Sequence, residues 1–125
     1  MSSTRISRRV NAPRAIVYRA LLDARAVATW MVPTGTGKTT AHTDTYHGRF
    51  VKLVKNEQVV EVVEFETADP ALRGEMTITI SLADADGGTE VLAVHDRLPP
   101  GLSIADNESG WREALAKLAV LVEAG

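Results

Sequence analysis

The sequence contains no cysteine, which excludes disulfide scaffolds, thiolate metal sites and cysteine nucleophiles. Aromatic residues make up only 5% of the chain, and they are too few and too scattered for a surface that stacks nucleic-acid bases. Positive and negative charges nearly cancel, with a net charge of −2, and no block of like charges occurs. We therefore expect neither nucleic acid nor an acidic membrane surface as a partner.

Long apolar runs are also absent. No stretch approaches the ~18 residues of a membrane span, and the basic start of the chain lacks the apolar segment of a signal peptide. These absences predict a cytoplasmic protein that does not enter a membrane. The 125 residues suit one domain with one hydrophobic core, which we assign to residues 1–125.

Hydrophobic periodicity predicts a strand at Arg5–Asn11, a short helix beginning at Pro13, and a second short helix at Ala24–Trp30. The strand signals that follow are apolar alternation and β-branched residues. They predict strands at Arg49–Val54, Gln58–Glu66, Glu75–Ala83 and Thr89–Asp96.

The turn and the last element are equally well marked. Asp84–Gly88 reads DADGG, a strong hairpin signal. Ser103 or Asp106 can cap a final helix with an apolar stripe at i, i+4, i+7 and i+11. The stripe consists of Trp111, Leu115, Leu118 and Val122. The order β-α-α-β-β-β-β-α predicts an α+β fold, an antiparallel sheet of about five strands with helices on one face.

One motif resembles a nucleotide-binding P-loop. The segment Pro33–Thr40 reads PTGTGKTT and matches the second half of that pattern, but the pattern requires glycine at position 32, where Val32 stands. A strand should precede the loop and a helix should follow it, whereas a predicted helix precedes it and TAHTDTYHGRF follows. We therefore interpret the segment as a Gly/Thr connector.

Several polar residues are candidates for metal binding, ligand contact or acid–base catalysis. His42, Asp44 and His47 could be imagined as metal ligands, but on a strand His47 points away from the other two, which favours a solvated strand and no metal. His95 shares one strand face with Thr89, Val91 and Ala93, a face that should meet the final helix; it is a satisfied core histidine or a ligand contact.

Glu61 lies among valines in VVEVVEF. If it faces inward with Val63 and Phe65, burial would raise the pKa of its carboxyl group and let it act as an acid or a base. If Val60 and Val62 face inward instead, Glu61 is solvated. One strand with two apolar faces leaves both readings open.

The whole chain resembles a known family. The opening ISRRVNAPRAIVYRALLDARAVATWMVP, the middle FVKLVKNEQVVEVVEFE, the run RGEMTITISLADADGGTEVLAVHD and the end DNESGWREALAKLAVLVE are similar to the SRPBCC (START-like, helix-grip) superfamily. Within it they most resemble the group named after the activator of heat-shock protein 90 ATPase. The most specific marks are Ala12-Pro13 before VYRAL, Trp30, the GGTEV strand ending at His95, and Gly110-Trp111.

The resemblance implies a sheet wrapped around the long C-terminal helix, with a cavity between them that receives a small hydrophobic molecule, and it implies no cofactor. We expect a non-catalytic or weakly catalytic binding protein in which His95 or Tyr46 orients a polar group of the ligand. The side chains expected around the ligand are Trp30, Met31, Tyr46, Phe65, Met76, Ile78, His95, Trp111 and Leu115. Rival interpretations are a polyketide cyclase-like enzyme or hydrolase using His95 and Glu61 as acid and base, and a chaperone-interaction module.

The chain departs from the family pattern in two places. After Pro33 it passes straight to Gly35, where relatives of this type have two further strands, so a strand pair is expected to be absent, by natural or engineered deletion. The resulting sheet edge could pair two copies into a homodimer. Position 97 is Arg where the group commonly has a small residue such as glycine.

Overall fold

The computed structural model describes residues 2–23, 46–65, 69–71 and 73–123. The predicted helix at Ala24–Trp30 lies outside these residues, as does the segment after Pro33 where the strand pair is expected to be absent. The described elements are β1 (Ser2–Val10), α1 (Arg14–Leu22), β2 (Tyr46–Val54), β3 (Gln58–Phe65), β4 (Met76–Ala85), β5 (Gly88–Leu98) and α2 (Ile104–Glu123). The predicted α+β class and the five-stranded antiparallel sheet are confirmed.

The strands are ordered β1-β5-β4-β3-β2, and every neighbouring pair is antiparallel. Strands β2 to β5 form a meander in which each strand pairs with the next along the chain. β1 comes first in the sequence but pairs with the last strand, so that Ser2 lies opposite Leu98 and Val10 opposite Thr89. The chain therefore begins and ends its sheet at the same edge.

The turns of the meander follow from local sequence. Asp86 and Gly87 connect β4 to β5 with φ values of 38° and 84°, the two positive values of a type I′ turn, which the DADGG pattern predicts. Asn56, between β2 and β3, has a φ of 61°, a conformation that asparagine tolerates better than most residues.

Both described helices begin where the sequence predicts. Pro13 precedes the first residue of α1, as its fixed φ and missing N–H favour. At α2, the Ser103 hydroxyl accepts a hydrogen bond from the Asp106 backbone N–H at 3.2 Å, so Ser103 is the capping residue.

The core lies between one face of the sheet, called here the inner face, and the two helices. α2 packs most closely on β1, and α1 contacts β3, β4, β5 and α2. The predicted stripe of α2 is buried: Trp111, Leu115, Leu118 and Val122 are each 5% exposed or less. Two hydrogen bonds join the ends of these layers, from Thr89 Oγ1 to the Ala12 carbonyl (2.7 Å) and from the Asn11 N–H to Glu123 Oε2 (2.8 Å).

A bulge interrupts the pairing of β1 with β5. Ser2 pairs with Leu98 and Ser3 with Asp96, which leaves Arg97 as the extra residue of β5. Its φ is 64°, in the left-handed region that favours glycine. A small residue such as glycine, which the family resemblance leads us to expect at this position, would adopt this backbone conformation with less strain.

Candidate functional site

One row of residues crosses the whole sheet on its inner face. Direct antiparallel partners point to the same side of a sheet, and the pairings run from Phe50 to Glu61, Ile78, His95 and Thr4. We call these five residues the central row. Its exposure changes along its length: Thr4, His95 and Ile78 are buried, Glu61 is half-buried, and Phe50 is 45% exposed.

The burial of its neighbours on β3 shows which face of the sheet Glu61 occupies. Val59 and Val63, which share its side of β3, are each 3% exposed, whereas Val60 and Val62 on the other side are half-buried. Glu61 therefore lies on the inner face with apolar neighbours, the first of the two alternatives that the sequence leaves open.

Burial raises the pKa of the Glu61 carboxyl group above its ordinary value, because removing a carboxylate from water disfavours its charged form. No neighbouring charge contributes to this increase. The group consequently spends more of its time protonated near neutral pH than a solvated glutamate does.

His95 is held by residues of both layers. Trp111 Nε1 of α2 donates a hydrogen bond to His95 Nδ1 at 3.0 Å, and the Met76 sulfur of β4 lies 3.2 Å from His95 Nε2. An indole N–H can only donate, so Nδ1 is the accepting, unprotonated nitrogen and Nε2 carries the proton in the neutral ring. The Trp111 ring also meets the imidazole edge-on, at an interplanar angle of 87°.

This environment keeps His95 neutral. Burial lowers the pKa of its imidazole to about 4, and the charge of Asp96 opposes that decrease only in part. Protonation would also place an N–H at Nδ1 against the N–H of Trp111. His95 is thus a neutral hydrogen-bond donor through Nε2, and its accepting nitrogen is occupied.

The acid–base pair that the sequence suggests is only partly assembled. Glu61 and His95 both face inward, but Ile78 separates them in the central row, and two strand spacings correspond to roughly 10 Å. They cannot hydrogen-bond to each other directly. Since Nδ1 is occupied and the pKa is low, His95 is also a poor general base.

Four of the predicted ligand-lining residues belong to the hydrophobic core, and three of them, Met76, Ile78 and Trp111, adjoin His95. Met76 and Ile78 lie on β4, Trp111 and Leu115 lie on α2, and each is 5% exposed or less. The sheet and the final helix therefore bring together a contiguous apolar cluster around His95.

The other predicted ligand-lining residues lie either at one end of the sheet or outside the described residues. Tyr46 and Phe65 are direct partners on β2 and β3, which brings two elements of the predicted lining together at one end of the sheet. Trp30 and Met31 lie outside the described residues. Their role in binding stays a prediction.

The sequence reasoning missed Asn107, Gly110 and Phe50. Asn107 precedes Trp111 by four residues on α2 and shares its side of the helix, and Gly110 is a surface neighbour of Asn107, three residues further on. The Asn107 amide nitrogen lies 3.4 Å from His95 Nδ1. The sequence spacing could have indicated Asn107, because it lies one helical turn before Trp111 on the same side of α2 as the apolar stripe.

The sequence motifs considered for nucleotide and metal binding lie mostly outside the described residues. The segment Pro33–Thr40 and the pair His42 and Asp44 lie outside the described residues. Within the described part of the chain, no three histidine or acidic side chains cluster as a metal site would require. In that same part no helix has the length and apolar character needed to cross a membrane.

β2 is the edge strand of the described sheet on the side opposite β1, and it carries several exposed apolar side chains. Phe50, Val51 and Leu53 are each 45% exposed or more. Pairing of two copies along this edge stays a prediction.

Comparison with known proteins places this geometry in a family. The family model described as Activator of Hsp90 ATPase homolog 1-like protein matches residues 11–123. A comparison with curated proteins gave no significant match.

Solved structures with the same fold are numerous. Protein CV1439 from Chromobacterium violaceum is 29% identical with a TM-score of 0.82, and the alignment covers 97% of this chain and 96% of that one. The Aha1 dimer from Colwellia psychrerythraea is 16% identical with a TM-score of 0.73, covering 98% and 97%. DynU16, from the dynemicin biosynthetic locus, is 21% identical with a TM-score of 0.74, covering 98% of this chain and 48% of that one. The first alignment shows that a natural protein of nearly the same length has this fold.

Proposed function

Since the chain belongs to the Activator of Hsp90 ATPase homolog 1-like family, we propose that it binds a small, neutral, mostly apolar molecule between the inner face of the sheet and α2. The observation that carries this proposal is the gradient of exposure along the central row. At the β1 end the row is closed, with Thr4 1% exposed, while at the β2 end Phe50 is 45% exposed. An apolar face that is sealed at one end and open at the other is suited to receive a ligand.

The helix supplies a second wall with room beside it. Gly110 lies inside α2, where glycine costs about 1 kcal/mol relative to alanine. A Cβ at this position would meet no atom of the described residues within 4 Å. Gly110 follows Asn107 by three residues, so the two are neighbours on the helix surface and the open space lies on the Asn107 side of α2.

The charges of the site favour a neutral ligand. Strands β2, β3 and β4 place no lysine or arginine on the described inner face. Their ionisable groups there are Glu61 and, at the exposed end of β4, Asp84, which forms an ion pair with Arg14 of α1. A ligand carboxylate would find no lysine or arginine on the described inner face of these strands and would be repelled by ionised Glu61. Apolar contact contributes about 25 cal/mol for each Å² removed from water, so an aromatic ring can supply most of the affinity.

The relatives give modest support to a small-molecule role. DynU16 belongs to a biosynthetic locus, that of dynemicin, and its fold is shared by this chain. The enzymatic alternative needs a base, and neither the low pKa of His95 nor its occupied Nδ1 favours one. No described contact favours the chaperone-interaction alternative over ligand binding.

A substitution that fills the open space tests the proposal. We expect 2-methoxynaphthalene, a neutral aromatic probe, to shift the Trp111 indole N–H signal of the wild-type protein in an NMR titration. Gly110→Leu should weaken binding of this probe at least about tenfold, because the new side chain occupies the space, while helix stability rises. Ser109→Leu, the same change at an exposed neighbour, is the matched control and should bind like the wild type.

Two results would overturn the proposal. One is the absence of any saturable shift in the wild-type protein. The other is equal affinity of Gly110→Leu and wild type, since the ligand would then lie elsewhere.

A further inference from the structure

Asn107 has a buried polar atom that the protein leaves without a partner. Its Oδ1 makes no hydrogen bond within the described residues, although the side chain is half-buried at the start of α2. Thr4 Oγ1 is in the same situation, but Thr4 is 1% exposed beneath α2 and is closed to a ligand. Buried polar atoms are nearly always satisfied, so an orphaned acceptor beside an open space calls for an explanation.

The orientation of the Asn107 amide is determined by its neighbour. His95 Nδ1 is an acceptor, so the amide nitrogen Nδ2, and not Oδ1, must face it. The lone pair of Nδ1 is already taken by Trp111, whose hydrogen bond is shorter, 3.0 Å against 3.4 Å. His95 therefore does not depend on the Asn107 amide for a hydrogen bond. The amide oxygen Oδ1 points away from the imidazole ring and has no partner among the described residues.

Gly110 leaves open space on the same side of α2 as this amide. Residues three apart on a helix are neighbours on its surface, so Gly110 follows Asn107 on the same face. Within the described part of the chain a Cβ at Gly110 would meet nothing within 4 Å, so this part of the helix surface borders open space. A side chain with an unpartnered acceptor on a helix surface that borders open space is placed to recognise a ligand.

We propose that Asn107 is a specificity residue that accepts a hydrogen bond from a hydroxyl group of the bound molecule. This inference rests on the proposed binding function and adds the ligand class: an apolar, uncharged molecule that carries an alcohol or a phenol. An amide oxygen can only accept, so the ligand must donate. The absence of a cation on the described inner face of β2, β3 and β4 disfavours a carboxylate in that place.

A pair of probes that differ by one methyl group tests the proposal. 2-Naphthol can donate a hydrogen bond, and 2-methoxynaphthalene has nearly the same shape but cannot. We expect the wild-type protein to bind 2-naphthol about tenfold more tightly by calorimetry, the effect of one additional hydrogen bond in an apolar site. Asn107→Leu, which removes the acceptor at similar volume, should abolish this preference while 2-methoxynaphthalene still binds.

The controls separate recognition from structure. Ser109→Leu should keep the preference for 2-naphthol. Asn107→Leu should melt at the same temperature as the wild type or higher, because it deletes an unsatisfied polar atom. A lower melting temperature with an unchanged preference would show a structural role and overturn the proposal.

The two proposals fail differently. Equal affinity of the wild type for both probes would refute the role of Asn107 and leave ligand binding intact. If neither probe binds the wild type, the proposed function fails, and the Asn107 inference fails with it.

Discussion

His95 makes the stability of this fold depend on pH in a defined direction. Its imidazole is neutral in the folded protein down to about pH 4, whereas an imidazole in an unfolded chain takes up a proton near pH 6.5. Between these two values the unfolded chain binds a proton that the folded protein does not. The stability supplied by neutral His95 is therefore complete above about pH 6.5 and is lost as the pH falls towards 4.

The size of the effect follows from the two pKa values. At ~1.4 kcal/mol for each pKa unit, the interval between 6.5 and about 4 corresponds to a loss on the order of 3 kcal/mol. A domain of this size is stable by about 5–15 kcal/mol, so one histidine would remove a substantial fraction. Glu61 changes stability with pH in the opposite direction. Because folding raises the pKa of its carboxyl group, its contribution to the stability of the folded protein declines as the pH rises.

His95→Gln isolates the histidine from the other titrating groups. The glutamine Oε1 can accept the hydrogen bond from Trp111 and does not titrate. Urea unfolding of both proteins, followed by circular dichroism from about pH 7.5 to pH 4, gives two stability profiles whose difference cancels Glu61, Asp96 and the other carboxylates. We expect that difference to change by about 3 kcal/mol across the range, with the wild type losing more. A difference that stays constant with pH would refute the reasoning.

Two further pairs of substitutions test the backbone assignments by urea unfolding. Gly88→Ala should lower the free energy of unfolding by about 1–3 kcal/mol, because its Cβ would collide with the Val10 carbonyl oxygen. Gly110→Ala should raise it by up to about 1 kcal/mol. Similar responses at both glycines would contradict the packing. Arg97→Gly should gain about 1 kcal/mol by relieving its left-handed conformation, and Arg5→Gly, on the exposed side of β1, should lose stability instead. Destabilisation at both arginines would argue against the bulge.

Much of the fold was predictable because its signals are local. The Asp86-Gly87 turn, the alternation of β4 and the stripe of α2 each depend on residues that are close in sequence. The place of β1 at the edge of the sheet beside β5 was not predictable in the same way. Nothing within the Ser2–Val10 segment specifies a partner so far along the chain.

The site was less predictable because it depends on which side chains face each other. Glu61 has valines on both sides, and its face became clear only from its pairing with buried Ile78. His95 was expected to meet the final helix, and it does, but its tautomer follows from Trp111 Nε1. The orphaned oxygen of Asn107 is a property of the assembled layers and has no counterpart in a sequence pattern.

The strand order has a consequence for how the chain acquires its structure. Strands β2 to β5 can pair in the order in which they are synthesised, but β1 must wait, unpaired, until β5 exists, and α2 follows later still. Closing so long a loop is slow compared with forming hairpins. The docking of β1 and of α2 against it therefore completes the core in one late step, and a nascent chain that lacks the final turn around Val122 still exposes apolar surface along that edge.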